Sequence, residues 1–148
     1  MDYNVHLEEA VAHPIAVIRR RAAQRDLSSV VPALCGEVWN FVKAHKVEGP
    51  GRHVAVYLDG AINLEVGVEV GGAFIPSDSV VASTTPAGTV ATATHVGDYS
   101  KLGSAHEAIR AFCKERGLKF AGPNWEIYGH WNDDPQLVTT DVFYLIKA

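Results

Sequence analysis

Gly122-Pro123-Asn124-Trp125-Glu126-Ile127-Tyr128-Gly129-His130-Trp131 decides the reading of the whole chain. An earlier stretch, Gly49-Pro50-Gly51-Arg52-His53-Val54-Ala55-Val56-Tyr57-Leu58, carries the same punctuation 73 residues before it. In both, a Gly-Pro pair breaks the chain and an alternating run follows, the pattern of a strand whose successive side chains point to opposite faces. One face of the earlier run holds Val54, Val56 and Leu58, and the other His53, Ala55 and Tyr57. One face of the later run holds Trp125, Ile127 and Trp131, and the other Glu126, Tyr128 and His130. Because helices need apolar partners, the first face of each strand is expected under a helix. The second faces are then expected to look at each other across a cleft.

Working outward, a helix precedes each of these strands. Val31, Leu34, Cys35, Val38, Phe41 and Val42 recur at helical spacing, with Ser28 or Ser29 as cap and Pro32 in the first turn. Leu102, Ala105, Ile109, Phe112 and Cys113 form the second stripe, with Ser100 as cap and Gly117 as a left-handed stop. Strands are predicted at 3–11, 13–22, 53–58, 62–70, 79–84, 88–96, 124–131 and 138–146. In the run from Ile62 to Val70, the face of Asn63, Glu65, Gly67 and Glu69 reads as solvated. The order strand, helix, strand pair thus occurs twice. It predicts one α+β domain over residues 1–148, made of two β-α-β-β units (about 13–72 and 86–148). A pseudo-twofold axis would relate their antiparallel sheets and leave a central pocket where they meet.

Composition sets outer limits. With 148 residues the chain can bury roughly two-thirds of its unfolded surface, enough for one core. A net charge of −4 and no basic run beyond Arg19-Arg20-Arg21 argue against direct nucleic-acid binding. Polar residues interrupt every apolar stretch before membrane-spanning length, and the first residues lack the pattern of a secretory signal. Cys35 and Cys113 both fall on helix stripes and read as buried free thiols, so the cytoplasm is the expected location. The seven histidines include no pair at helical ligand spacing and no nearby CxxC, so neither a metal nor another cofactor is expected. GxSxG, P-loop and GxGxxG motifs do not occur, which removes the commonest hydrolase, NTPase and dinucleotide readings.

Glu126 is the side chain that calls for explanation. A carboxylate between Trp125, Ile127 and Tyr128 loses hydration if its face is covered, and an unpartnered buried charge costs several kcal/mol. It is therefore either a surface group on an open sheet, one paired with a nearby arginine, or an acid facing a guest. In the last case Tyr57, Tyr128, Trp39 and Phe143 would give flat surfaces for stacking or cation–π contact, with His53 and His130 on the same side.

These residues also resemble a family. Pro86-Ala87-Gly88, His95-x-Gly97-x-Tyr99, Gly122-Pro123-x-x-Glu126-x-Tyr128, Asp134-Pro135 and Thr140-Asp141-Val142-Phe143 are similar to the GyrI-like small-molecule-binding domain, also called the AraC-type effector-binding domain. The resemblance spans essentially the whole chain. It implies the duplicated, SOUL-like fold and a central pocket for drug-like, often cationic aromatic compounds, with the family's buried acid at Glu126 and its neighbour at Tyr128. Two departures concern the closing wall: the last motif usually reads Thr-Glu, and a proline is common near Leu145.

Two functions follow as expectations. One is a stand-alone module that senses or sequesters a small molecule; a transcriptional role would need a partner chain, and the partners expected besides the ligand are a homodimer mate or a regulatory partner protein. The other is a hydrolase of strained electrophiles such as cyclopropane-bearing genotoxins. Glu126 would activate water there, and Tyr128 or Tyr57 would donate to the developing oxyanion.

Overall fold

The computed structural model describes residues 3–59, 63–77, 79–129 and 133–147. Eight strands, β1 (His6–Ala10), β2 (Pro14–Arg21), β3 (His53–Tyr57), β4 (Asn63–Glu69), β5 (Val80–Thr84), β6 (Gly88–Val96), β7 (Phe120–Tyr128) and β8 (Thr139–Ile146), form one antiparallel sheet. Helices α1 (Leu27–Ala44) and α2 (Gly103–Glu115) join β2 to β3 and β6 to β7. The strand order is β1-β6-β8-β7-β3-β4-β2-β5. Read outward from its centre, the sheet runs β7-β8-β6-β1 one way and β3-β4-β2-β5 the other, so each half repeats the other's connectivity.

The register of the central pair carries the symmetry to single residues. Val54 lies opposite Ile127, His53 opposite Tyr128 and Ala55 opposite Glu126. Adding 73 to Val54 gives Ile127, its own partner, and the same step turns the first of the flanking pairs into the second. The pseudo-twofold axis therefore passes through the Val54–Ile127 pair. His53 holds in the first half the place that Glu126 holds in the second.

The sheet is not flat. Only three residues separate Thr84 at the end of β5 from Gly88 at the start of β6, a reach of about 14 Å. Six strand spacings lie between β5 and β6, about 29 Å in a flat sheet. The sheet therefore curls until its two ends approach. Inside the curl Ile15, Val17, Val54, Val56, Val90, Trp125 and Ile127 form a core cluster drawn from strands alone.

That curl reverses the predicted helix contacts. The Val54/Val56 and Trp125/Ile127 faces pack inside the sheet itself, not under the helices. Helix α1 lays Val31, Leu34, Cys35, Val38 and Val42 on Ala16, Ala55, Leu64, Val66 and Val68. Helix α2 lays Ala105, Ile109 and Cys113 on Ala91, Ala93 and Val142. Small side chains at Ala16, Ala55, Ala91 and Ala93 leave room for a helix, whereas the bulky face fills the curl. The same geometry buries Glu65, expected on a solvated face. It is 6% exposed, and its carboxylate accepts from Arg19 Nε at 2.8 Å and Ser83 Oγ at 2.6 Å.

Element boundaries shift in the same instructive way. Neither Ser28 nor Ser29 caps α1; a 3₁₀ turn over Gln24–Asp26 leads into it, and Pro32 sits in its second turn. Ahead of α2, Asp98 caps a 3₁₀ turn at Tyr99–Lys101 by accepting from the Ser100 amide, the role expected of Ser100. Strand β7 begins at Phe120, before the Gly-Pro pair, and its register with β8 slips between Phe120 and Asn124. Gly122 sits in that irregularity at φ 125°, a conformation that favours glycine. Cys35 and Cys113 are free and buried. Among the described residues no helix is long and apolar enough to cross a membrane.

Candidate functional site

Each helix covers the outer strands of its own half. Helix α1 lies chiefly over β4 and β2, and α2 over β6 and β8. The β3–β7 seam is left between them, and the helix-side residues of that seam are His53, Ala55, Tyr57, Glu126 and Tyr128. A hollow of about 780 Å³ opens there, within the usual range for a small-molecule pocket. Leu27, Val31, Pro32, Cys35, Trp39 and Leu102 give it an apolar wall, and His53, Tyr57, Tyr99 and Tyr128 add rings. Burial pushes the Cys35 thiol up to about 12, so it enters the wall as an apolar group.

At the floor stands Glu126, 6% exposed. Its Oε1 accepts from the Tyr128 hydroxyl at 2.5 Å and from the Tyr57 hydroxyl at 3.2 Å. Its Oε2 lies 2.6 Å from His106 Nε2 on α2. His106 Nδ1 in turn lies 2.6 Å from the Tyr144 hydroxyl on β8. A carboxylate only accepts, so Nε2 carries the proton; in the neutral ring Nδ1 then accepts from Tyr144. Burial, and next the neighbouring Glu126 charge, hold the Tyr57 and Tyr128 phenols well above the usual value, which keeps both hydroxyls neutral donors. Burial also raises Tyr144, with Arg110 opposing it.

A second hollow of about 440 Å³, lined by Asn124, Glu107, Arg110, Phe120 and Tyr144, meets the first at Glu126, His106, Tyr57 and Leu27. The carboxylate is thus approached from an apolar side and a polar side.

His53 solves its burial differently. Its Nδ1 is buried without a hydrogen-bond partner among the described residues, and its ring lies 5.8 Å from that of Trp39. Burial lowers its pKa, opposed by a hydrogen bond to the Gly67 backbone.

Of the residues singled out in the sequence, Glu126, Tyr128, Tyr57, His53 and Trp39 come together here. Phe143 does not. It is the cross-strand partner of Trp125, and the two rings stack at 5.2 Å inside the curl, on the far side of the sheet from Glu126. His130 and Trp131 lie outside the described residues. Reasoning from sequence missed His106 and Tyr144. A signal for His106 existed: Leu102, His106, Ile109 and Cys113 share one helical stripe, so the imidazole points at the sheet. For Tyr144 it was the alternation Val142, Tyr144, Ile146. Among the described residues no cluster of His, Cys, Asp and Glu is placed to hold a metal ion.

Residues 3–147 match the GyrI-like small molecule binding domain. The chain belongs to this family. Solved structures with the GyrI-like fold include the EcmrR C-terminal domain, at 20% identity and a TM-score of 0.77 over 99% of both chains. In a complex of EcmrR with DNA, the likeness covers 98% of this chain and 57% of that one, at 18% identity and a TM-score of 0.81. SAV2435 bound to tetraphenylphosphonium is 11% identical with a TM-score of 0.72, over 100% of this chain and 95% of that one. A hydrolase from Listeria innocua is 12% identical with a TM-score of 0.61, over 97% and 91%. No curated protein matches this GyrI-like domain in sequence.

Proposed function

We propose that this GyrI-like domain binds an organic cation with aromatic or other apolar substituents in the hollow between α1 and α2, with Glu126 as counter-charge. The chain would act as one effector-binding domain of two pseudo-repeats, the first contributing Trp39, His53 and Tyr57 and the second Glu126, Tyr128 and His106. One observation carries the reading. The Glu126 carboxylate is buried at the floor of a guest-sized space, and its partners among the described residues are two phenols and an imidazole, not lysine or arginine. Hydrogen bonds offset part of the cost of burying a carboxylate, and a cation enclosed beside it would offset more. The rings of Tyr57, Tyr99, Tyr128 and Trp39 supply faces that attract a cation, on the order of 1 kcal/mol each. The tetraphenylphosphonium held by SAV2435 has this chemistry.

Such a domain senses or sequesters its ligand in the cytoplasm. Titration with tetraphenylphosphonium tests the reading. Glu126→Gln is expected to weaken binding by at least about tenfold while leaving the fold intact. Equal affinity for the two proteins would rule out Glu126 as counter-charge. The competing hydrolase reading keeps Glu126 as the group that takes a proton from water, and the Tyr57 and Tyr128 hydroxyls beside it as donors to a developing oxyanion. It requires turnover of a strained electrophile that Glu126→Gln abolishes with affinity retained.

A further inference from the structure

The partners of Glu126 fill most of what a carboxylate can accept. Two oxygens offer about four lone-pair positions. Tyr57 and Tyr128 both donate to Oε1, and His106 donates to Oε2. The His106 contact is not left to chance. Tyr144, on a different element, engages the opposite ring nitrogen at 2.6 Å, which holds the Nε2–H tautomer toward the acid.

Building on the proposed cation binding, we infer that His106, with its tautomer fixed by Tyr144, makes the hollow selective for cations that carry no N–H groups. An alkylammonium brings three donors and a tightly held hydration shell, so it must find acceptors to replace the water it gives up. Oε1 is fully used, and His106 already takes one position on Oε2. The other acceptors on the wall, at Gln24, Ser28 and Tyr99, carry no charge, and the unpartnered Nδ1 of His53 is itself buried although the ring lines the hollow. A quaternary ammonium or phosphonium needs no acceptor at all. It gains the charge of Glu126 and the ring faces of the wall without disturbing a hydrogen bond. The Tyr144–His106 pair thus acts as a filter on guest chemistry at a site whose charge comes from Glu126.

Benzyltrimethylammonium and benzylammonium form a matched pair of probes, read against tetraphenylphosphonium by competition at neutral pH. Three methyl groups add apolar surface of their own, so the diagnostic quantity is how the affinity ratio of the pair changes on substitution. In the wild-type protein the quaternary probe is expected to bind more tightly. His106→Leu frees Oε2, and the ratio should move about tenfold toward benzylammonium. His106→Gln, whose amide can donate to the same oxygen, should bring the ratio back toward wild type. Tyr144→Phe leaves His106 in place but releases its tautomer and should move the ratio in the direction of Leu by a smaller factor; it also serves if His106→Leu fails to fold. A ratio unchanged in both His106→Leu and Tyr144→Phe overturns the inference while cation binding stands. Failure of tetraphenylphosphonium and both probes to bind the wild-type protein removes the underlying reading and the inference together.

Discussion

His53 and Glu126 occupy equivalent positions about the pseudo-twofold axis, and each is a polar group turned toward the same hollow. Glu126 is met by three donors, whereas burial leaves His53 with a bare Nδ1 and a pKa below its ordinary 6.5. The sign of the consequence is fixed. The folded state keeps this imidazole neutral, while the unfolded chain takes up a proton near 6.5. Its contribution to stability is therefore complete above that value and is lost as pH falls through the lower folded value. Urea unfolding at pH 7.5 and pH 5 should show a larger acid-induced loss for the wild type than for His53→Gln; equal losses would mean that His53 is not the buried base described. At this scale the sequence was legible where alternation alone decided a face, as for Glu126, Tyr128, Tyr57 and His53. It failed at Phe143 because the aromatic's side depends on whether residue 142 or 143 lies opposite Glu126. Register across strands fixes that, and no local pattern states it.

Two glycines, one in a strand and one in a helix, differ sharply in the room around them. A Cβ at Gly67 in β4 would lie 1.8 Å from the Ala16 carbonyl oxygen on β2, a collision with backbone that cannot turn aside. A Cβ at Gly36 in α1 would meet nothing within 4 Å. Gly67→Ala is therefore expected to destabilise by about 2–3 kcal/mol, through forced separation of β2 and β4. Gly36→Ala should stabilise by about 0.5–1 kcal/mol, from helix propensity alone. Denaturant midpoints measure both, and a destabilising Gly36→Ala would show that the helix face is not open. Helical spacing in the sequence located both helices, but their starts came out differently because Asp98 and the 3₁₀ turns, not the serines, organise the entry. The strand of Glu65 read as half solvated for a related reason. Alternation distinguishes two faces but does not say which one a curled sheet turns inward.

The whole molecule depends on that curl. Packing Trp125, Val54, Val56 and their neighbours against one another frees the opposite face to carry both helices, and the helices then leave the central β3–β7 seam as the floor of a hollow. The duplicated order of elements was readable from the Gly-Pro punctuation, but the two polar faces expected to look at each other across a cleft lie side by side on the helix face of paired strands. Which face the helices cover was not readable, because the short link from Thr84 to Gly88 reveals the curl only once the strand order is known. The proposed function rests on the same arrangement: a polar seam left between two helices, with a buried acid at its centre. A crystal structure with tetraphenylphosphonium tests this most directly. The cation should sit between α1 and α2, its rings against Tyr57, Tyr128 and Trp39 and its charge on the side of Glu126, with the tyrosine hydroxyls still donating to the carboxylate. A cation seated on an outer surface with the hollow empty would contradict the account.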